Sequence, residues 1–178
     1  SGAGKASMDE LLDQSKSYIA GKKILSKNFT KQIAFNLIPH IDSFDKDGYT
    51  KEELKMTNET KKILDKKIEV SATCVRVPVK TGHSESINIE FDNFYDFENI
   101  VKILKDAPGC KVVDEHKNGG YITPLEAEGD NTTFISRIRK DNSNTKAINL
   151  WVVSDNLFKG AALNTVQIAE CLMKKMKL

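Results

Sequence analysis

Residues 68–91 contain two runs of alternating apolar and polar residues, separated by one proline and one glycine, a pattern that few folds accommodate. Ile68-Glu69-Val70-Ser71-Ala72 runs toward Val75 and Val77 with the period of a strand. Pro78 has no N–H for a hydrogen-bond ladder, so the strand is expected to be interrupted there. A short Lys80-Thr81-Gly82 turn then precedes His83, and Ile87-Asn88-Ile89-Glu90-Phe91 alternates again. In this reading Arg76 faces away from Val75 and Val77, on the side open to a ligand, and His83 follows the turn, at the other end of the same junction. A guanidinium holds a carboxylate by two parallel hydrogen bonds, and a histidine near neutrality gives or takes a proton. The same pair also reads as a surface arginine beside a turn histidine.

Composition narrows the class of protein. The 178 residues are 39% hydrophobic and 29% charged with a formal charge of +2, which fits one soluble globular domain and no basic nucleic-acid surface. No stretch approaches the roughly 18 apolar residues of a membrane span, and no secretory pattern opens the chain, so a cytoplasmic protein is expected. The three cysteines, Cys74, Cys110 and Cys171, lie far apart without a CxxC, which suggests neither a disulfide framework nor a metal site. Asp45-Lys46-Asp47-Gly48 superficially suggests a calcium loop. With Gly48 at the sixth position, Leu54 would fall where the bidentate carboxylate belongs, so a turn is expected instead.

Taken in order, Ser1-Gly2-Ala3-Gly4-Lys5 reads as a loop feeding a helix, either a cofactor-edge turn or plain linker. Met8, Leu11, Leu12, Ser15 and Ile19 mark that helix, which Gly21 ends. Residues 33–41 are apolar enough for a short strand broken at Pro39, with His40 as a structural residue at the turn. Thr50 and Glu53 form a capping-box signature opening a helix on which Glu52 and Lys55 share a face. As a surface pair those two would matter little. A helix over 94–105 places Phe97, Ile100, Val101 and Leu104 on one side. Strands are expected over 110–113, 133–139 and 148–153. After Ser154-Asp155-Asn156 a long helix begins near Gly160, with Ala162, Val166, Ala169, Leu172 and Met173 on its apolar face, as core or subunit interface.

Several of these phrases occur together in a fixed order. Ser1-Gly2-Ala3-Gly4, Lys31-Gln32-Ile33-Ala34-Phe35-Asn36 with Ile38-Pro39, Glu52-Glu53-Leu54-Lys55-Met56, Ala72-Thr73-Cys74-Val75-Arg76-Val77-Pro78 with Gly82-His83-Ser84, and Val152-Val153-Ser154-Asp155-Asn156-Leu157 with Lys159-Gly160-Ala161-Ala162 closely resemble the bacterial aspartate-semialdehyde dehydrogenases. The resemblance spans nearly the whole chain. It implies NADPH-dependent reduction of β-aspartyl phosphate to aspartate β-semialdehyde and phosphate, through a cysteine thiolate and its thioester, on the route through diaminopimelate to lysine and to threonine and methionine. By motif, His83 is similar to the histidine that handles the proton. Arg76 resembles the clamp on the substrate α-carboxylate, Glu52 the residue that holds the amino group, and Lys55 a phosphate-site cation. Ser1 and Gly2 resemble the turn that meets NADP, and Asn156 the amide near the nicotinamide.

The family's Asn-Cys nucleophile motif, the glutamine before the Ser-Gly-Ala-Gly turn and the glycine-rich nucleotide loop are not in this sequence. The resemblance therefore implies that residues 1–178 are a single C-terminal substrate-binding and dimerisation domain of a larger two-domain enzyme, inactive alone. Its expected fold is α+β, a mostly antiparallel mixed sheet with helices on one face, resembling the C-terminal domain of glyceraldehyde-3-phosphate-dehydrogenase-like enzymes. A homodimer through the sheet's other face is implied as well. Another acyl-phosphate or semialdehyde reductase of the same fold, or a non-catalytic dimerisation module, remain as alternatives.

Overall fold

The computed structural model describes residues 1–176. The chain forms two compact units, one of Ser1 with Ala3–Pro78 and one of Gly2 with Val79–Leu178.

The first unit has two helices and little regular strand. Helix α1 spans Lys5–Ile19 and α2 spans Lys51–Ile63. The capping box that opens α2 is complete: Thr50 Oγ1 accepts the Glu53 N–H, and the Glu53 carboxylate accepts the Thr50 N–H at 2.8 Å. The strands expected over 68–77 and 33–41 do not form. In their place stands one isolated antiparallel bridge, Ile38 with Arg76, and 34–35 is a turn. Alternation sorts side chains between two faces, but a ladder also needs a neighbour along its length, and here the backbone meets one residue. The faces are also reversed from expectation. Val75 and Val77 are each 38% exposed, whereas Cys74 and Arg76 are half-buried.

Side chains take over the stitching that strands would supply. Glu10 on α1 accepts the N–H groups of Lys27 and Asn28 at 3.0 and 2.6 Å, and Gln14 Oε1 accepts those of Ile33 and Ala34 at 2.9 and 3.2 Å. Glu10 and Gln14 are both buried, as are Ile33 and Ala34.

The second unit is built on a four-stranded mixed sheet. Its strands are β1 (His83–Glu90), β2 (Cys110–Val112), β3 (Thr133–Lys140) and β4 (Ala147–Ser154), in the order β1-β4-β3-β2. The β1–β4 and β4–β3 pairs are antiparallel and β2–β3 is parallel. The expected α+β architecture is therefore present. Strand β4 is the most hydrophobic and lies inside the sheet, as its continuous apolar run requires. Helix α3 (Phe97–Asp106), capped by Asp96, lays Phe97, Ile100, Val101 and Leu104 on Ile135, Ile138, Ile148 and Leu150. It starts three residues later than the sequence suggests, leaving Phe94 exposed.

Strand β3 carries an extra residue between Ser136 and Arg139, opposite Trp151 and Asn149 of β4. Arg137 takes φ 57° at this bulge, and Asp114 accepts the N–H groups of Arg137 and Ile138 at 2.6 and 3.1 Å. The bulge returns Ile138 to the α3 face, where it is buried. A four-residue helix, α4 (Pro124–Ala127), has no counterpart among the expected elements, because one turn carries no periodicity. After β4, a π-helical turn (Phe158–Ala162) leads into α5 (Leu163–Met176). No described residue of α5 is buried, so within this chain it is not core.

Burial raises the Glu10 carboxyl, but the N–H groups of Lys27 and Asn28 outweigh it and hold the group below the usual carboxylate range. A depressed folded pKa contributes stability that is present above about pH 4.3 and lost as pH falls through the folded value. Glu10→Gln is expected to lower unfolding free energy by about 1–3 kcal/mol at neutral pH. In urea titrations the gap to the parent chain should narrow toward acid pH.

Candidate functional site

In the first unit, the backbone of Arg76 is held from one side by Ile38. Arg76 N–H donates to the Ile38 carbonyl at 2.8 Å and Ile38 N–H donates back at 3.1 Å. The half-buried guanidinium donates one hydrogen bond through Nη1 to the Ser1 carbonyl at 2.9 Å. That bond uses one of the five donors of the fork and leaves the geometry for a bidentate carboxylate.

Glu52 and Lys55 are brought together near the start of α2. Lys55 Nζ lies 3.6 Å from Glu52 Oε1, with the side chains 51% and 31% exposed respectively. At that exposure the pair adds little stability, and both groups remain open to an incoming ligand. Gly2 and Gly4 take φ 69° and 84°, and Gly4 caps α1 without a side-chain hydrogen bond. The turn before α1 therefore presents backbone, which suits contact with a ligand edge.

In the second unit, His83 follows the turn and is the first residue of β1, with its backbone opposite Ser154. Its ring is exposed, and among the described residues it makes no hydrogen bond, which leaves both ring nitrogens to solvent or substrate. The residue before it is fixed closely. Gly82 has φ 89°, and a Cβ there would stand 3.2 Å from the Ser154 carbonyl oxygen and 3.3 Å from Pro124 Cβ. Asn156 Oδ1 accepts the Gly82 N–H at 2.9 Å. The Asn156 side chain thus spends its acceptor on the start of β1 and keeps its NH2 donors, the half of an amide that a carboxamide oxygen would use.

Two positions outside the sequence-predicted set hold backbone in place, one in each unit. Asp155, 1% exposed, accepts N–H groups from Gly129 at 2.9 Å, Leu157 at 2.7 Å and Phe158 at 3.3 Å. Burial pushes its carboxyl up, but these three donors prevail and hold it below the usual range. The Ser-Asp-Asn sequence after the most apolar strand was its signal, as a carboxylate placed to cap the helical turn at Leu157 and Phe158. Glu53 is the other. One oxygen completes the capping box and the second accepts the Cys74 N–H at 3.0 Å. The Thr50 N–H first, and then that of Cys74, keep its carboxyl below the usual range. The capping signature announced the first of these bonds, and nothing local announced the second.

Residues 1–159 match the family model described as Semialdehyde dehydrogenase, dimerisation domain. The chain belongs to this family. It is 52% identical over 174 residues to an aspartate-semialdehyde dehydrogenase of Rickettsia bellii, covering 98% of this chain and 52% of that protein. With that of Aquifex aeolicus it is 50% identical over 177 residues, covering 98% and 52%. The chain spans about half the length of the curated relatives it matches. Among solved structures, aspartate semialdehyde dehydrogenase II of Vibrio cholerae complexed with ASA superposes with a TM-score of 0.91 at 44% identity, covering 97% of this chain and 51% of that one. The Candida albicans enzyme with NADP superposes with a TM-score of 0.66 at 27% identity, over 83% of this chain and 47% of that one. The family fold and the mixed sheet agree.

Gly82 has both a positive φ and close neighbours, so Gly82→Ala is expected to destabilise the second unit by more than about 1 kcal/mol. A thermal melt should show a drop of several degrees, and an unchanged melt would mean the strand start tolerates a side chain.

Proposed function

We propose that residues 1–178 are the substrate-binding and dimerisation domain of an NADP-dependent aspartate-semialdehyde dehydrogenase, a cytoplasmic enzyme of lysine, threonine and methionine biosynthesis. The observation that carries this reading is the family match over residues 1–159. The identity of 50% and above to enzymes of that name supports it.

Each residue has a role that its surroundings support. Arg76, with its backbone fixed and most of its fork unspent, holds the substrate α-carboxylate. Glu52 takes the amino group, a cation that suits a half-buried carboxylate at a helix start. Lys55, beside it, supplies positive charge for the phosphate, and binding of substrate draws the two ends of the present ion pair to opposite charges on the ligand. His83 moves the proton of the sulfur adduct, because a ring with no internal hydrogen bond is available to give or accept it. Bound NADPH supplies the hydride in the biosynthetic direction. The Ser1-Gly2 turn and the Asn156 amide orient the edge of that cofactor. The nucleophilic cysteine is expected outside this sequence, since none of Cys74, Cys110 and Cys171 stands in an Asn-Cys motif.

The homodimer would use the face of the sheet opposite α3. That face carries Ser86, Arg139 and Trp151 around a recess of about 340 Å3, a mixture of apolar area and hydrogen-bonding groups suited to an isologous contact.

The test is phosphate-dependent reduction of NADP by aspartate semialdehyde, followed by nicotinamide absorbance. The complete product of the gene that encodes this chain is expected to turn over, and the 178-residue chain alone is not. Turnover by the isolated chain would sink this reading. In the active enzyme, Arg76→Ala should raise KM for the semialdehyde by about a hundredfold, the scale of a lost charge-assisted pair. His83→Asn should lower kcat by about 10²–10⁴-fold.

A further inference from the structure

We propose that Glu53 is a positioning residue that sets where the carboxylate clamp Arg76 stands relative to Glu52 and Lys55. The proposal rests on the substrate roles given above to those three residues. Glu53 does not touch the ligand in this reading. It is 7% exposed and faces inward, while its neighbour Glu52 faces out.

The geometry goes beyond helix capping. A capping box needs one carboxylate oxygen at the N-cap N–H, and Glu53 supplies it to Thr50. Its other oxygen crosses to the N–H of Cys74, two residues before Arg76. One rigid carboxylate thus spans from the N-cap of the helix that carries Glu52 and Lys55 to the segment that carries Arg76. Farther along, Thr57 Oγ1 lies 3.2 Å from the Val70 carbonyl and Lys61 Nζ lies 2.8 Å from Glu69. These contacts align α2 antiparallel to residues 69–74, and Glu53 is the member of the series closest to the substrate groups. The irregular backbone of 68–77 has no sheet to fix it, so its placement depends on contacts of this kind.

Glu53→Gln separates the two bonds chemically. Glutamine is accepted in a capping box and keeps an oxygen for the Thr50 N–H, but its NH2 then confronts the Cys74 N–H, donor against donor. Thr50→Ala does the converse: it removes the capping hydroxyl and leaves the Glu53 carboxylate able to reach Cys74. Both variants are made in the complete gene product and assayed with aspartate semialdehyde, phosphate and NADP.

Glu53→Gln is expected to raise KM for the semialdehyde by about tenfold, because small misplacements of a binding group are costly. KM for NADP should stay within about twofold of the parent. Thr50→Ala should lower the melting temperature and leave both KM values in place. The inference is overturned if Glu53→Gln leaves the semialdehyde KM unchanged, if both KM values move together, or if Thr50→Ala moves the semialdehyde KM equally. Should Glu53→Gln not fold, Glu53→Asp replaces it, since its shorter side chain can still serve the cap but falls short of Cys74. An inactive parent enzyme would instead refute the proposed function, which keeps the two failures distinct.

Discussion

Strand β4 receives hydrogen bonds along both edges, from β1 on one side and β3 on the other, and the second unit depends on this double pairing. Its side chains divide between the two faces of the sheet. Ile148 and Leu150 meet α3, while Val153 joins Phe134 and Ala127 on the opposite side. Because β4 is fixed, its last residue fixes the first residue of β1: Ser154 stands opposite His83. The chain then leaves the sheet through Asp155, whose buried carboxylate gathers three N–H groups, and Asn156, which returns to Gly82. The end of one central strand therefore places the imidazole through the backbone, without any bond to the ring.

The first unit solves the same problem without a sheet. Residues 20–50 and 64–78 contain no strand longer than a single bridge. Their N–H groups still require acceptors, and a buried unpaired N–H costs on the order of 1–3 kcal/mol. Glu10, Gln14 and Glu53 meet that need from the helices, each accepting two backbone donors from a remote segment or a cap. A carboxylate with two donors is held ionised, which is why Glu10 and Glu53 both titrate below their ordinary range.

How much of the fold was legible in the sequence depends on the range of each interaction. The capping box at Thr50, the apolar stripe of α3 and the run of β4 are written within one element, and all three are present. The strand expected through Val75 and Val77 depended on a partner that the sequence does not place nearby, and only Ile38 meets it. Asp114 reaches the bulge at Arg137 from 23 residues away, and Glu53 reaches Cys74 across 21. Such bonds leave no period to read. Arg76, His83, Glu52 and Lys55 were proposed from motif resemblance, whereas the bonds of Glu53 to Thr50 and Cys74 and of Asp155 to Gly129, Leu157 and Phe158 needed the folded chain.

Glu52 and Glu53 show how the two kinds of residue are told apart. They have the same chemistry and adjacent positions, and the helix turns about 100° between them. That rotation sends Glu53 inward, where both of its oxygens are occupied by backbone, and Glu52 outward, where among the described residues it pairs with a lysine three residues on. An inward, buried carboxylate whose oxygens both already hold backbone N–H groups is turned away from a ligand. An outward one paired only with a flexible ammonium can exchange that partner for a substrate cation at small cost. Of two identical neighbours, the less satisfied one is therefore the one fitted to the proposed recognition, and the more satisfied one ties the start of α2 to the Cys74 segment.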